Sequence, residues 1–286
     1  MNLEMVSIVS LVTAIAAVWL KPIHLWTLPF AVFVLSGLIS EWLTAAALVS
    51  GSLYAAIAWY FVHASTRRSR VLASVLLIIG ALVLGVHLAP GFEQVRMLTD
   101  LAVPGQPDWN GVSFAADKPL VGLFLALAYR DRLCVNFAGL GRALARTALP
   151  MMVGIVAVYA TGIALGYVVF EPTPLAFSLL PLMLVLFVRN LFFTVVAEEM
   201  LFRQVIQSGL EGLSRGERAR WYALLSSSVL FGAVHLPGGW EFGLLATLAG
   251  LVYGYVYLRS ARIETAMLAH VVLNTGNVLL LAAPGP

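Results

Sequence analysis

Apolar runs succeed one another along the chain, separated by short polar breaks. They read as 4–20, 23–40, 42–64, 71–91, 118–130, 148–170, 175–206, 219–236, 240–259 and 263–283. Most approach the roughly 20 residues a helix needs to cross a bilayer at about 1.5 Å per residue, while 118–130 is short for a span. The pattern predicts an all-α, polytopic transmembrane helix bundle with about 8–10 membrane helices. Ala14-Ile15-Ala16 resembles a signal cleavage site. Glu4 stands where a basic leader region would be, so the first run reads as an uncleaved helix.

The placement of polar residues changes along the chain. Up to residue 117 no ionisable group sits in the middle of a long apolar run, since His24, His63 and His87 each lie near an end. After about residue 175, acids, histidines and amides lie inside apolar sequence. This predicts an N-terminal transmembrane extension over 1–117 and a core over 118–286 that holds the chemistry. The long loop at 92–117, including Pro104–Asn110, carries no motif, and no fixed-period repeat is present.

Composition agrees with the membrane reading. Of 286 residues, 61% are hydrophobic and 11% charged, with mean hydropathy +0.94, whereas soluble domains are about one-quarter charged. A soluble enzyme, a collagen-like fibre and a disordered chain are excluded. The net charge of +3 and pI near 9.2 do not indicate nucleic acid, because the basic residues form short clusters between apolar runs. If the ten runs alternate, Lys21, Arg67, Arg68, Arg70, Arg130, Arg132, Arg142, Arg146, Arg215, Arg218, Arg220, Arg259 and Arg262 share one side, thirteen of seventeen basic residues. Arg96 and Lys118 fall opposite, and Arg189 and Arg203 lie within runs. The positive-inside rule makes the basic side cytoplasmic, with both termini non-cytoplasmic, in the cell's inner membrane. Cys134 is the single cysteine, so neither an internal disulfide nor a thiolate zinc site is available.

Three stretches put polar groups where lipid-compatible residues would be expected. The first is Glu198-Glu199-Met200-Leu201-Phe202-Arg203. Charged residues cost about 2.5–3.5 kcal/mol each near the bilayer centre, so they should face a cavity or a partner. At α-helical spacing Glu199 and Arg203 share a face and can pair, leaving Glu198 turned about 100° away. The second stretch is Phe231-x-x-x-His235, ending at Pro237-Gly238-Gly239, and the third is His270-x-x-x-Asn274, with imidazole and carboxamide on one face. Singly, each fits a structural role: a staple, an interfacial histidine, an interhelical hydrogen bond. Together they supply the types needed for proton transfer and oxyanion stabilisation. Gly243, Gly250 and Gly254, with Ala246, lie close to one helix face and predict tight packing. His235 counts deeper from the basic side than Glu198, His270 or Asn274, unless residues 211–223 lie along the surface or their helix tilts.

The ordered set of three motifs resembles the CPBP family of intramembrane proteases, which includes the Ras-converting CAAX prenyl endopeptidases and bacterial relatives called Abi proteins. The resemblance covers about 175–283. It implies a glutamate-activated water, with Glu198 as general base, His235 as its partner, and His270 with Asn274 stabilising the oxyanion. Glu199 and Arg203 match the second acid and the arginine of the first motif. No cofactor is implied. A zinc enzyme using Glu198, His235 and His270 is the alternative within proteases, although HExxH is absent. A proton-coupled transporter or a non-catalytic scaffold or immunity protein are alternatives of another class. The expected partners are a membrane-associated peptide or protein substrate and the lipid bilayer, without nucleic acid.

Overall fold

The computed structural model describes residues 2–20, 22–99, 110–133, 136–172, 180–213 and 216–282. Lys21, Cys134, Arg215 and the loop residues 104–109 lie outside the described residues. The chain is all-α with minor strands. Among the described residues, six helices are long and apolar enough to cross a membrane: Ala45–His63, Arg67–Gly85, Ala138–Ala164, Leu180–Leu213, Trp240–Ser260 and Ile263–Leu280. The protein is an integral, multi-pass membrane protein. It divides into two compact units, Met1–Asp131 with Ala176–Leu201, and Arg132–Leu175 with Phe202–Pro286.

The first unit holds α1 (Leu3–Ala17), α2 (Thr27–Ile39), α3 (Ala45–His63), α4 (Arg67–Gly85), a hairpin of β1 (Val95–Met97) and β2 (Val112–Phe114), and α5 (Asp117–Ala128). It also holds the first part of α7, the continuous helix Leu180–Leu213. Helix α1 packs along α2, where Ser7 and Ser36 share a buried hydroxyl hydrogen bond of 2.7 Å. A capping box, with Thr66 and Ser69 exchanging side-chain-to-backbone bonds, starts α4 ahead of its apolar run.

Helix α5 corrects one expectation. The run at 118–130 does not form a span. At 12 residues the helix reaches about 18 Å, well short of the ~30 Å hydrocarbon layer. Eight of its residues, from Asp117 to Ala126, are buried, and it packs on α1, α3, α4 and the 191–199 stretch of α7. Its apolar character on all sides reflects burial in the unit. The topology counted over ten alternating runs therefore loses one of its crossings.

The second unit holds α6 (Phe137–Ala164), the rest of α7, α8 (Glu217–Ala233), α9 (Trp240–Ser260), α10 (Ile263–Leu280) and a short pairing of β3 (Val169–Phe170) with β4 (Leu281–Ala282). The Asn136 side chain caps α6 by accepting from Gly139 N at 3.1 Å, so the helix starts earlier than its apolar run and displays Arg142 and Arg146 on exposed first turns. Residues 217–233, in which the sequence allowed a surface segment up to 223, form one helix. The glycines pack as their face suggested. A Cβ at Gly250 would stand 3.2 Å from Ser228 Cα, and one at Gly232 would stand 2.5 Å from Gly243 O, so α8 and α9 meet nearly backbone to backbone.

Candidate active site

The acids lie on an irregular stretch of α7. Val196–Glu199 is α-helical and is flanked by π-helical turns at Leu191–Val195 and Met200–Gln207. Such wide turns occur mostly as local insertions and often at functional sites. They also mean that α-helical spacing does not describe the stretch from Glu199 to Arg203. Glu198 and Glu199 are 9% and 0% exposed, and the boundary between the units follows at Leu201.

In the first unit Glu198 has a cationic neighbour that the sequence did not indicate. Lys118 Nζ donates to Glu198 Oε1 at 2.5 Å, with both side chains largely buried. The sequence reading left Glu198 as the acid without a charged partner, and the fold supplies one from 80 residues away. Two contacts set Lys118 in place. One turn further along α5, Gly122 lies against α7, where a Cβ would stand 3.1 Å from Ala197 N. At the head of α5, buried Asp117 accepts from Lys118 N at 2.9 Å, a carboxylate at a helix N-terminus. Asp117 in turn receives the Nδ1–H of His87 at 2.7 and 2.9 Å, and His87 has a left-handed backbone with φ of 59°.

In the second unit Phe231 is the common neighbour of three predicted site residues. Its ring centroid lies 4.6 Å from that of His235, 5.9 Å from that of His270 and 5.5 Å from Arg203 Cζ. Arg203 is fully buried; its Nη1 donates to Ser227 Oγ at 3.3 Å, and Ser227 donates to Phe202 O at 2.7 Å. Its guanidinium also lies 6.0 Å from the Tyr253 ring, so aromatic faces offset part of its desolvation. One turn along α7, Gln207 Nε2 donates to Gly254 O at 3.1 Å.

The histidines are held differently. His235 lies between the end of α8 and the following short turn, half-buried. A carbonyl only accepts, so its 2.7 Å contact with Phe231 O puts the proton on Nδ1 and leaves Nε2 as the basic nitrogen of the neutral ring. His270 is 4% exposed and stacks on Tyr253. Asn274 is half-buried one turn later on α10. At Leu273 the carbonyl accepts from Tyr159 OH at 2.5 Å, fixing this part of α10 to α6.

The structure thus groups Arg203, His235 and His270 around Phe231 in one unit, with Asn274 on the same helix as His270, and places Glu198 and Glu199 in the other unit. Within either unit, among the described residues, no group of three His, Cys, Asp or Glu side chains could hold a metal ion. Sequence reasoning missed Lys118, Asp117, His87, Tyr253 and Tyr159. The available signal was the adjacent pair Asp117-Lys118 heading an apolar run too short to span.

Residues 177–276 match the family described as Type II CAAX prenyl endopeptidase Rce1-like. A protein of Bacillus subtilis (strain 168) with the name "Putative membrane peptidase YdiL" is 33% identical over 90 residues, which is 31% of this chain and 34% of that relative. The chain therefore aligns with about a third of the length of this curated relative. No solved structure matches. The likeness to CAAX prenyl endopeptidases read from three motifs holds over 177–276, which contains Glu198, Glu199, Arg203, His235, His270 and Asn274. Lys118, Asp117, His87 and Tyr159 lie outside it.

Proposed function

We propose that this protein is an intramembrane endopeptidase of the CAAX prenyl endopeptidase type, acting on a membrane-associated peptide or protein substrate. The observation that carries this reading is the coincidence of the matched segment, 177–276, with all three polar motifs, two of whose acids are buried in a helix fit for lipid. Residues so costly to place in a membrane are retained for a task.

In the proposed reaction Glu198 takes a proton from water with the help of His235, whose Nε2 is the ring's basic nitrogen. The hydroxide oxygen adds to the scissile carbonyl carbon while the carbonyl electron pair moves onto its oxygen. His270 and Asn274 donate to that oxyanion, a contribution worth about 10²–10³-fold per donor. On collapse the C–N bond breaks, and the proton held by Glu198 passes to the leaving nitrogen. Glu199 pairs with Arg203 and balances the arginine's buried charge. No metal takes part, and the basic loops that follow α5 face the cytoplasm from the inner membrane.

The test is cleavage of a farnesylated peptide ending in a CAAX sequence by the full chain in lipid nanodiscs. Glu198→Gln should remove activity while the protein still folds, with a lowered melting temperature because Lys118 loses its carboxylate partner. Retention of more than about a tenth of the rate would contradict a general base. A chelator should leave the rate unchanged, and loss restored by added zinc would favour the metal-dependent alternative.

A further inference from the structure

The proposed reaction leaves Lys118 without a task, although its half-buried ammonium donates to Glu198 Oε1 at 2.5 Å. Lys118 belongs to the part of the chain that the family match does not cover. Its placement does not follow from the flexibility of a long side chain. The N–H of the same residue is held by buried Asp117, and Gly122 one turn later sets the helix against the Ala197 backbone beside Glu198. The N-terminal hundred residues contribute to this arrangement through His87, which donates to Asp117.

We infer that Lys118 is a positioning residue for Glu198, orienting its carboxylate and balancing negative charge as that charge moves during proton transfer. This rests on the reading of Glu198 as the base. Before the reaction the ammonium faces a carboxylate in surroundings that solvate charge poorly. When Glu198 accepts the proton from water, the negative charge leaves the carboxylate for the hydroxide oxygen and then for the carbonyl oxygen. The lysine keeps its positive charge throughout, so a compensating cation is present at the start and at the transition state. A carboxylate has two oxygens with about four acceptor positions, so the hydrogen bond from Lys118 to Oε1 is compatible with proton uptake. The first hundred residues and α5 thereby serve the reaction, as the scaffold that delivers this cation.

The experiment compares Lys118→Met, Lys118→Arg, Glu198→Gln and the Lys118→Met/Glu198→Gln double variant of the full chain. It measures kcat and KM on the farnesylated CAAX peptide, melting in detergent, and the infrared carboxylate band that Glu198→Gln removes. Lys118→Met should lower kcat by about tenfold or more with KM changed less than about twofold, and Lys118→Arg should restore most of it. On the Glu198→Gln background Lys118→Met should have no further effect on the residual rate. The Glu198 band should move in Lys118→Met and return in Lys118→Arg, which requires no turnover. A Lys118→Met protein with full kcat or an unmoved band overturns the inference, even where Glu198→Gln is inactive and the base reading stands. An active Glu198→Gln sinks the base reading instead. If Lys118→Met does not fold, the double variant, which strands no buried charge, should fold; its failure to do so also overturns the inference.

Discussion

Tyr253 and His270 lie face to face, with ring centroids 4.4 Å apart and planes 14° from parallel. The phenol comes from α9 and the imidazole from α10, and the edge of Phe231 from α8 closes a second side of the histidine. An imidazole that donates to an oxyanion must be held in one plane, and two aromatic contacts at right angles leave it little rotational freedom. Tyr253→Leu should lower kcat by up to about tenfold, the range expected for an aromatic pair worth 0.5–1.5 kcal/mol. Tyr253→Phe, which keeps the ring, should retain most of the rate. Equal losses in the two variants would show that the stack does not orient His270.

The oxyanion assignment separates Asn274 from every proton-relay reading. Its carboxamide has no titratable proton, and its donor matters most once the carbonyl oxygen becomes negative. Asn274→Ala should lower kcat by roughly 10²–10³ with KM little changed. If His270 serves the same oxygen, the double variant should lose less than the product of the single losses. Steady-state kinetics on the three variants decides it; an unchanged kcat for Asn274→Ala would remove the role.

Arg203 is fully buried with its guanidinium against two aromatic rings. Under the proposed pairing, Arg203→Ala leaves Glu199 charged and buried, and should cost roughly 3–5 kcal/mol of stability. Glu199→Gln combined with Arg203→Met, which strands no charge, should recover much of that. Melting in detergent is the measurement, and single variants as stable as the parent would refute the pairing.

Gly232 allows α8 to touch α9. A Cβ there would stand 2.5 Å from Gly243 O, and closer still to Thr247 Oγ1. The hydroxyl can rotate away, but the carbonyl is backbone, so Gly232→Ala must push the helices apart. The expected loss is about 1–3 kcal/mol in melting. Cleavage should fall too, because His235 sits three residues on and is held by the carbonyl of Phe231. A variant as stable as the parent would mean that the helix interface is looser than this geometry.

The legible part of the candidate site was the part that violates a simple rule. Glu198, Glu199, Arg203, His235, His270 and Asn274 stood out because charged and amide groups inside apolar runs carry a large solvation cost. The structure buries Glu199, Arg203 and His270 almost completely. Tyr253 gave no such signal, since an aromatic residue in a membrane helix meets no penalty and its role arises only from what it stacks against. His87 lay near the end of a run, where a histidine is ordinary. The π-helical turns around Val196–Glu199 could not be read either, because one wide turn leaves the apolar pattern nearly unchanged while rotating everything beyond it.

Taken by itself, the sequence determined that this is a membrane protein built of apolar helices, where most of those helices lie, and which helices carry the polar groups. These are local properties, set by solvation of each segment and by the period of the helix. Only the tertiary structure decided that the run at 118–130 is a buried 12-residue helix, and that Lys118 reaches Glu198 across 80 residues of chain. Nor could the sequence place Phe231 beside Arg203, His235 and His270. The physical reason is that ion pairs and ring contacts depend on separations of a few ångströms between segments distant in the chain, and hydropathy is blind to those separations.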